Sequence, residues 1–185
     1  MTRTTRSVMV GVVMAGLMGT GRTVMAADGD APGMSRVRSS NPTILALIDQ
    51  ASEQSKTFRG LVETINAGDA VVYVEEGACG HSVRACFRAV SMAGATRMLW
   101  VVVDTRKANW DLMGSIGHEL RHTIEVLGER GVTSSSAMFM FYSRVGKHGT
   151  GKTFETAAAV EAGDTVRSEV RKYQSRAQAP HPSTR

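Results

Sequence analysis

An α+β domain is what this chain of 185 residues predicts, and three observations carry that expectation. Apolar residues recur at helical spacing over long stretches, short β-rich runs lie between them, and glycines punctuate the runs. The first stretch opens at Asn41-Pro42, a capping residue followed by proline at the first helical position. It carries Ile44, Ile48, Ala51, Phe58, Val62 and Ile65 to a stop at Gly68. Runs at 70–75, 82–90 and 97–104 follow, separated by Gly77, Gly80 and Gly94. They read as an antiparallel meander, so the expected sheet is small, antiparallel and packed on helices. Residues 109–127 and 153–173 are helical by period, whereas 134–145 suits either helix or strand. Met138, Phe139, Met140 and Phe141 read as core, and Trp100 and Trp110 as packing of the sheet on a helix.

Composition narrows the class. With 42% hydrophobic and 21% charged residues the chain is ordinarily globular, and its length suits one domain. The net charge of +5 is unevenly placed: residues 1–26 hold Arg3, Arg6 and Arg22 and no acid, which leaves +2 for the rest. That balance gives no basic cluster for nucleic acid. The same 26 residues combine a basic start, an apolar run at 8–18 and Val24-Met25-Ala26, the pattern of a signal peptide cut after Ala26. The run is too short to span a bilayer, so no stable membrane anchor is expected after cleavage. The expected organisation is a signal peptide at 1–26, a flexible lead-in at 27–40, a domain at 41–173 and a disordered tail at 174–185. The mature protein would be exported, periplasmic or secreted. Cys79 and Cys86 suit a disulfide in such a compartment. A metal site from Cys79, His81 and Cys86 offers only three ligands at none of the usual spacings.

Gly117-His118-Glu119-Leu120-Arg121-His122 contains H-E-x-x-H on a helix. Residues four apart share a helical face, so both imidazoles reach one metal ion, and the glutamate between them lies near its open position. Random order of this composition gives the pattern on the order of 0.01 times per chain. Met113, Ile116, Leu120, Ile124 and Leu127 form an apolar stripe, and His118 and His122 fall almost opposite it. The helix is therefore expected to pack by one face and offer its histidines on the other.

The segment His118-Glu119-Leu120-Arg121-His122 resembles the zincin metallopeptidases, of gluzincin-like type. Residues 69–170 also look like a group of small exported bacterial proteins with no assigned function, on 71–75, 117–127 and Phe154-Glu155-Thr156. The zincin resemblance implies a zincin-like fold with the motif on a central helix. It further implies Zn²⁺ held by His118 and His122, Glu119 as general base, and a peptide or protein substrate. Arg121 departs from the longer pattern, which prefers uncharged residues there. Glu125 and Gly128 stand where a metzincin extension needs Gly and His.

A third ligand is required. In some zincins it is a glutamate from a later helix, and the last helix here offers two. Ala158, Ala162, Val166, Val170 and Tyr173 form its apolar stripe; Glu155 falls inside the stripe and Glu161 at its edge. A carboxylate aimed at a core is costly unless paired or coordinated, which makes Glu155 the third ligand. Glu161, Glu125 and His148 are held in reserve, and capping of a helix N-terminus is the competing role for Glu155. Tyr142, Arg144 or His148 could stabilise an oxyanion.

Gly146 to Thr153 also matches G-x-x-x-x-G-K-T, the phosphate-binding loop, with 138–145 as its leading strand. Only 32 residues follow Thr153, too few for the parallel sheet such a loop serves. The function expected is a zinc-dependent hydrolase, a metallopeptidase using metal-activated water. A non-catalytic exported metal-binding protein is the alternative, and a nucleotide binder through 146–153 ranks third.

Overall fold

The computed structural model describes residues 34–80, 83–148 and 154–178. The expected signal peptide, most of the lead-in and the last residues of the tail lie outside them. The elements run β1 (Val37–Arg38), α1 (Pro42–Gln54), α2 (Lys56–Asn66), β2 (Ala70–Glu76), β3 (Ala85–Ala93), β4 (Thr96–Val103), α3 (Trp110–Gly128), α4 (Ser135–Val145), β5 (Lys147–His148), β6 (Phe154–Glu155) and α5 (Ala157–Ala177), with a 3-10 turn at Thr105–Lys107. The α+β expectation stands. Three local expectations do not. The lead-in contributes β1, which pairs with β2. The single helix ending at Gly68 is two helices, and the supposed tail supplies the last turn of α5 through Ala177.

Ser55 makes the break. Extended there, it ends α1 and caps α2 by accepting from the Phe58 amide. The Ser55 hydroxyl in turn donates to Glu169 Oε2 at 2.6 Å, so the joint is held by α5. The α1 start is as expected: Asn41 Oδ1 accepts from the Thr43 amide at 2.8 Å, with Pro42 following.

The sheet is mixed, in order β1-β2-β4-β3, and not an antiparallel meander. β2 and β4 are parallel, while β3 and β4 form an antiparallel hairpin turned at Gly94, whose φ is +60°. Composition explains the order. β4 is apolar on both faces and fits the middle, whereas β3 carries Arg88 and Ser91 and fits an edge. Local period gives each strand but not its neighbour, which is why the connectivity misled. Leu99, Val101 and Val103 face the helices with Val72 and Val74. Trp100 lies on the opposite face, stacked on Tyr73 at 6.0 Å between ring centroids. It therefore does not pack the sheet on a helix. Trp110 does sit in the helical layer, under the Arg171 guanidinium of α5.

α3 is central, with Leu112, Met113, Ile116 and Leu120 buried. Its second face is not open, as expected from the wheel, but covered by α5. Glycines allow this close approach: a Cβ on Gly117 would lie 3.0 Å from Val166, and one on Gly163 would lie 3.0 Å from the His118 Cβ. Arg97, only 4% exposed, fixes the far end of α3. Its guanidinium donates to the carbonyls of Val126, Leu127 and Glu129 and to Asp69. Three charged hydrogen bonds thus meet carbonyls at a helix C-terminus, and the fourth pairs the guanidinium with Asp69.

Candidate metal centre

Two turns of α3 and one short strand build the site. His118 and His122 lie one turn apart, their ring centroids 4.8 Å from each other. Glu155 comes from β6, two residues ahead of α5, rather than from the helix itself. Thr156 takes the capping role instead, accepting from the Ala159 amide, which leaves the Glu155 carboxylate free to turn towards α3. One ligand atom from each of His118, His122 and Glu155 falls within 4.8 Å of the others, a triad able to hold a metal ion.

The residues fit a metal on two counts. Glu155 Oε2 is buried and accepts no hydrogen bond, although His118 Nε2 is only 3.0 Å away. A carboxylate oxygen in ion-pair range of an imidazole nitrogen, yet off hydrogen-bond geometry, is an arrangement a shared cation suits. A tetrahedral ion with bonds of about 2.0–2.2 Å sets its ligand atoms about 3.3 Å apart. The His118–Glu155 pair, at 3.0 Å, is already near that spacing.

His122 is oriented from behind. It is 4% exposed, and its Nδ1 meets Glu125 Oε2 at 3.0 Å. With the proton on Nδ1 donated there, Nε2 keeps its lone pair for a metal. Glu125 thus stands outside the triad and orients His122, and it is itself gripped by the Thr156 hydroxyl at 2.6 Å. Burial alone would raise the Glu125 pKa, but His122 and Thr156 hold it below the ordinary carboxylate value. Tyr142 donates to the His122 carbonyl at 2.8 Å. That contact anchors α4 to α3 and commits the hydroxyl of one of the three oxyanion candidates.

Glu119 lies in the seam between α3 and the edge strand β3, close enough to His118 and His122 for their charges to act on it. It is 7% exposed, and its Oε2 accepts from the Phe87 amide at 2.8 Å, beside the irregularity between Phe87 and Ala89. Burial pushes its pKa up, against the pull of His122 and His118. Burial lowers and Glu155 and Glu119 raise the His118 pKa, with a net rise, while His118 holds Glu155 down.

Two of the other expected residues lie outside this centre. Glu161 and Arg144 are exposed on α5 and α4. His148 lies on β5, its backbone paired with Phe154. Residues 138–145, the supposed leading strand of a phosphate loop, belong to helix α4, so that strand is missing; 149–153 lie outside the described residues. Of the presumed core run, Phe141 is buried, whereas Phe139 and Met140 are exposed. Cys79 and Cys86 form the expected disulfide, with Cα atoms 5.8 Å apart. A cleft of about 810 Å³ lies at the start of α3, lined by Arg84, Asp104, Arg106, Lys107 and Trp110, and by no member of the triad. Sequence reasoning missed Thr156 and the Gly163 contact. Both are signalled only by residues distant in the chain.

Against protein-family models, curated proteins and solved structures alike, the chain finds no match. The functional reading therefore rests on the site.

Proposed function

We propose that this protein is a zinc-dependent hydrolase, a peptidase acting on a peptide or protein after export. The observation that supports it is the convergence of His118, His122 and Glu155, with a buried glutamate interleaved between the histidines. Two imidazoles and one carboxylate suit zinc and leave one coordination position open. Bound there, zinc supplies a Lewis acid for a carbonyl and makes water acidic enough to attack near neutral pH. Glu119 accepts the proton from the attacking water and passes it to the leaving amine. Its raised pKa suits both halves of that task. The Phe87 amide holds one carboxylate oxygen of Glu119 still, and Glu125 keeps His122 in the tautomer that presents Nε2. The disulfide supports an oxidising compartment. No helix among the described residues is long and apolar enough to cross a membrane.

A non-catalytic metal-binding protein is the second reading, favoured by one observation: Glu119 is tied to a backbone amide and nearly buried. One experiment separates the two. Zinc per chain is measured on the purified protein and on His118→Ala, Glu155→Ala and Glu119→Gln, and each is assayed on a peptide library. One zinc per chain, lost in the first two variants and kept in Glu119→Gln with hydrolysis abolished, is expected for the peptidase. Zinc kept with no cleavage by the parent protein selects the second reading. No zinc after add-back would falsify both.

A further inference from the structure

The Cys79–Cys86 disulfide lies one peptide unit from the hydrogen bond that fixes Glu119. The order β1-β2-β4-β3 puts β4 between β2 and β3, so no strand pairing joins the exit of β2 to the start of β3. The disulfide joins them instead. After β2 the chain crosses the end of β4. There the Gly77 amide donates to the Val103 carbonyl at 2.9 Å, and a Cβ on Gly77 would stand 2.8 Å from Val102 Cγ1. The Cys79 sulfur then lies 3.4 Å from the Val102 carbonyl, and Cys86 pairs with Val102 from the β3 side. The bridge therefore clasps β4 at Val102 and ties down the start of β3, an edge strand paired on one side only among the described residues.

That start of β3 carries the seam with α3. The Phe87 N–H belongs to the planar peptide unit that begins at the Cys86 Cα, so fixing Cys86 fixes the direction of the donor that meets Glu119 Oε2 at 2.8 Å. The ladder with β4 slips just beyond, between Phe87 and Ala89, and holds this stretch less firmly than the covalent bond before it. The triad has no such dependence: His122 is aimed by Glu125, Glu125 is gripped by Thr156, and Glu155 comes from β6. We propose that the disulfide is a redox-sensitive positioning element for Glu119. Closed, it sets the Phe87 amide against the carboxylate; opened by a dithiol reductant, it releases Glu119 while the triad stays assembled. The inference rests on the reading of Glu119 as general base and adds a means of regulating it. Both cysteines are half-buried, and Cys79 lines the open cleft at the start of α3, so the bond is within reach of a thiol. Opening is thiol–disulfide exchange. One thiolate of the reductant bonds to a cysteine sulfur and displaces the other as a thiolate; the reductant's second thiol then attacks the mixed disulfide and closes the reductant's own S–S bond. The chain gains two electrons and two protons as two thiols, and the reductant leaves oxidised.

The test reads amide hydrogen exchange by NMR on the full chain supplied with zinc, and zinc per chain is measured on the same samples. These are the parent protein, Glu119→Ala, the pair Cys79→Ala with Cys86→Ala, and all three changes together. Glu119→Ala should speed exchange of the Phe87 amide by about tenfold or more, the scale of losing a hydrogen bond to a charged acceptor. The cysteine pair should give a similar acceleration at Phe87, with zinc content unchanged and the β4 amides within about twofold of the parent. The triple variant should exchange at Phe87 no faster than Glu119→Ala, because both changes remove one contact. Reducing the parent with a water-soluble phosphine should repeat the result without substitution, and reoxidation should reverse it. Unchanged exchange at Phe87 without the disulfide would overturn the proposal. Acceleration spread evenly over β3 and β4 would make the bond a general brace of the sheet and overturn it as well. So would loss of zinc along with the disulfide, since the triad would then share the dependence. Failure of the metal reading looks different: a parent chain that takes up no zinc strikes the hydrolase, while exchange at Phe87, read on that same chain, still decides the coupling.

Discussion

Glu119 shows how a residue can cost stability where the proposed chemistry would use it. Its carboxyl is buried and its pKa is raised, so the ionised form is disfavoured in the folded chain. For a raised carboxylate, folding loses free energy as pH climbs from the unfolded value towards the folded one. In zinc-free protein at pH 7, Glu119→Gln should therefore raise the melting temperature, by a few degrees for about 1 kcal/mol. The glutamine oxygen still accepts from the Phe87 amide, so no hydrogen bond is lost. A lower melting temperature would show that Glu119 stabilises the seam rather than straining it. Glu125 has the opposite character, since its two oxygens are both matched, one to His122 and one to Thr156. Glu125→Gln should weaken zinc binding by about tenfold or more, read by competition with a chelator, because His122 loses the charge that fixes its tautomer.

Among the elements, the packing of α3 on α5 decides whether the triad exists at all. The two helices approach closely because Gly114 and Gly117 on one and Gly163 on the other present no side chain. Gly163 faces His118 itself, and a Cβ there would also lie 3.1 Å from the Gly114 carbonyl. Gly163→Ala must separate the helices by some tenths of an ångström, at about 1–3 kcal/mol. A drop in both melting temperature and zinc affinity is the expected outcome, since β6 and Glu155 are joined to α5. If stability fell and zinc affinity did not, the triad would be held by β5 and β6 independently of the helix pair. Ser55 and Glu169 make the second inter-element joint, where the carboxylate takes the Ser55 hydroxyl and the Thr57 amide and hydroxyl.

Over the whole molecule, the response to acid follows from where its carboxylates sit. Arg97 beside Asp69 holds that carboxyl down, and Ser55 and Thr57 hold Glu169 down against the opposing effect of burial. Depressed carboxylates contribute stability that is present above their unfolded values, 3.8 for Asp69 and 4.5 for Glu169, and is lost as pH falls through the folded ones. Denaturant unfolding of zinc-free protein should show stability weakening below about pH 5, where these carboxylates begin to take up protons. Glu119 opposes this loss, because protonation relieves it. Glu169→Gln should flatten the acid limb and cost about 1 kcal/mol at neutral pH. An unchanged limb would place the acid sensitivity elsewhere than at the joint between α1 and α2.

Local chemistry alone marked α3 and α5, the three strand runs, the disulfide partners and the three residues gathered at the triad, while it merged α1 with α2 and left α4 open between helix and strand. Most are written in spacing: Asn41-Pro42 as a start, alternation in β4 and two histidines one turn apart; a helical stripe picks out Glu155, yet it reaches the triad from β6. Tertiary structure decided the rest. The order β1-β2-β4-β3 depends on which strand is apolar on both faces relative to its neighbours, a comparison no single run contains. The covered face of α3 depends on glycines that a helical wheel counts as neutral and that matter only when α5 lies against them. The role of Glu125 emerged only from its contact with His122 and from Thr156, thirty-one residues on. Periodicity reports what one element wants to bury. Which element satisfies it is a choice made between surfaces, and only the folded chain brings those surfaces together.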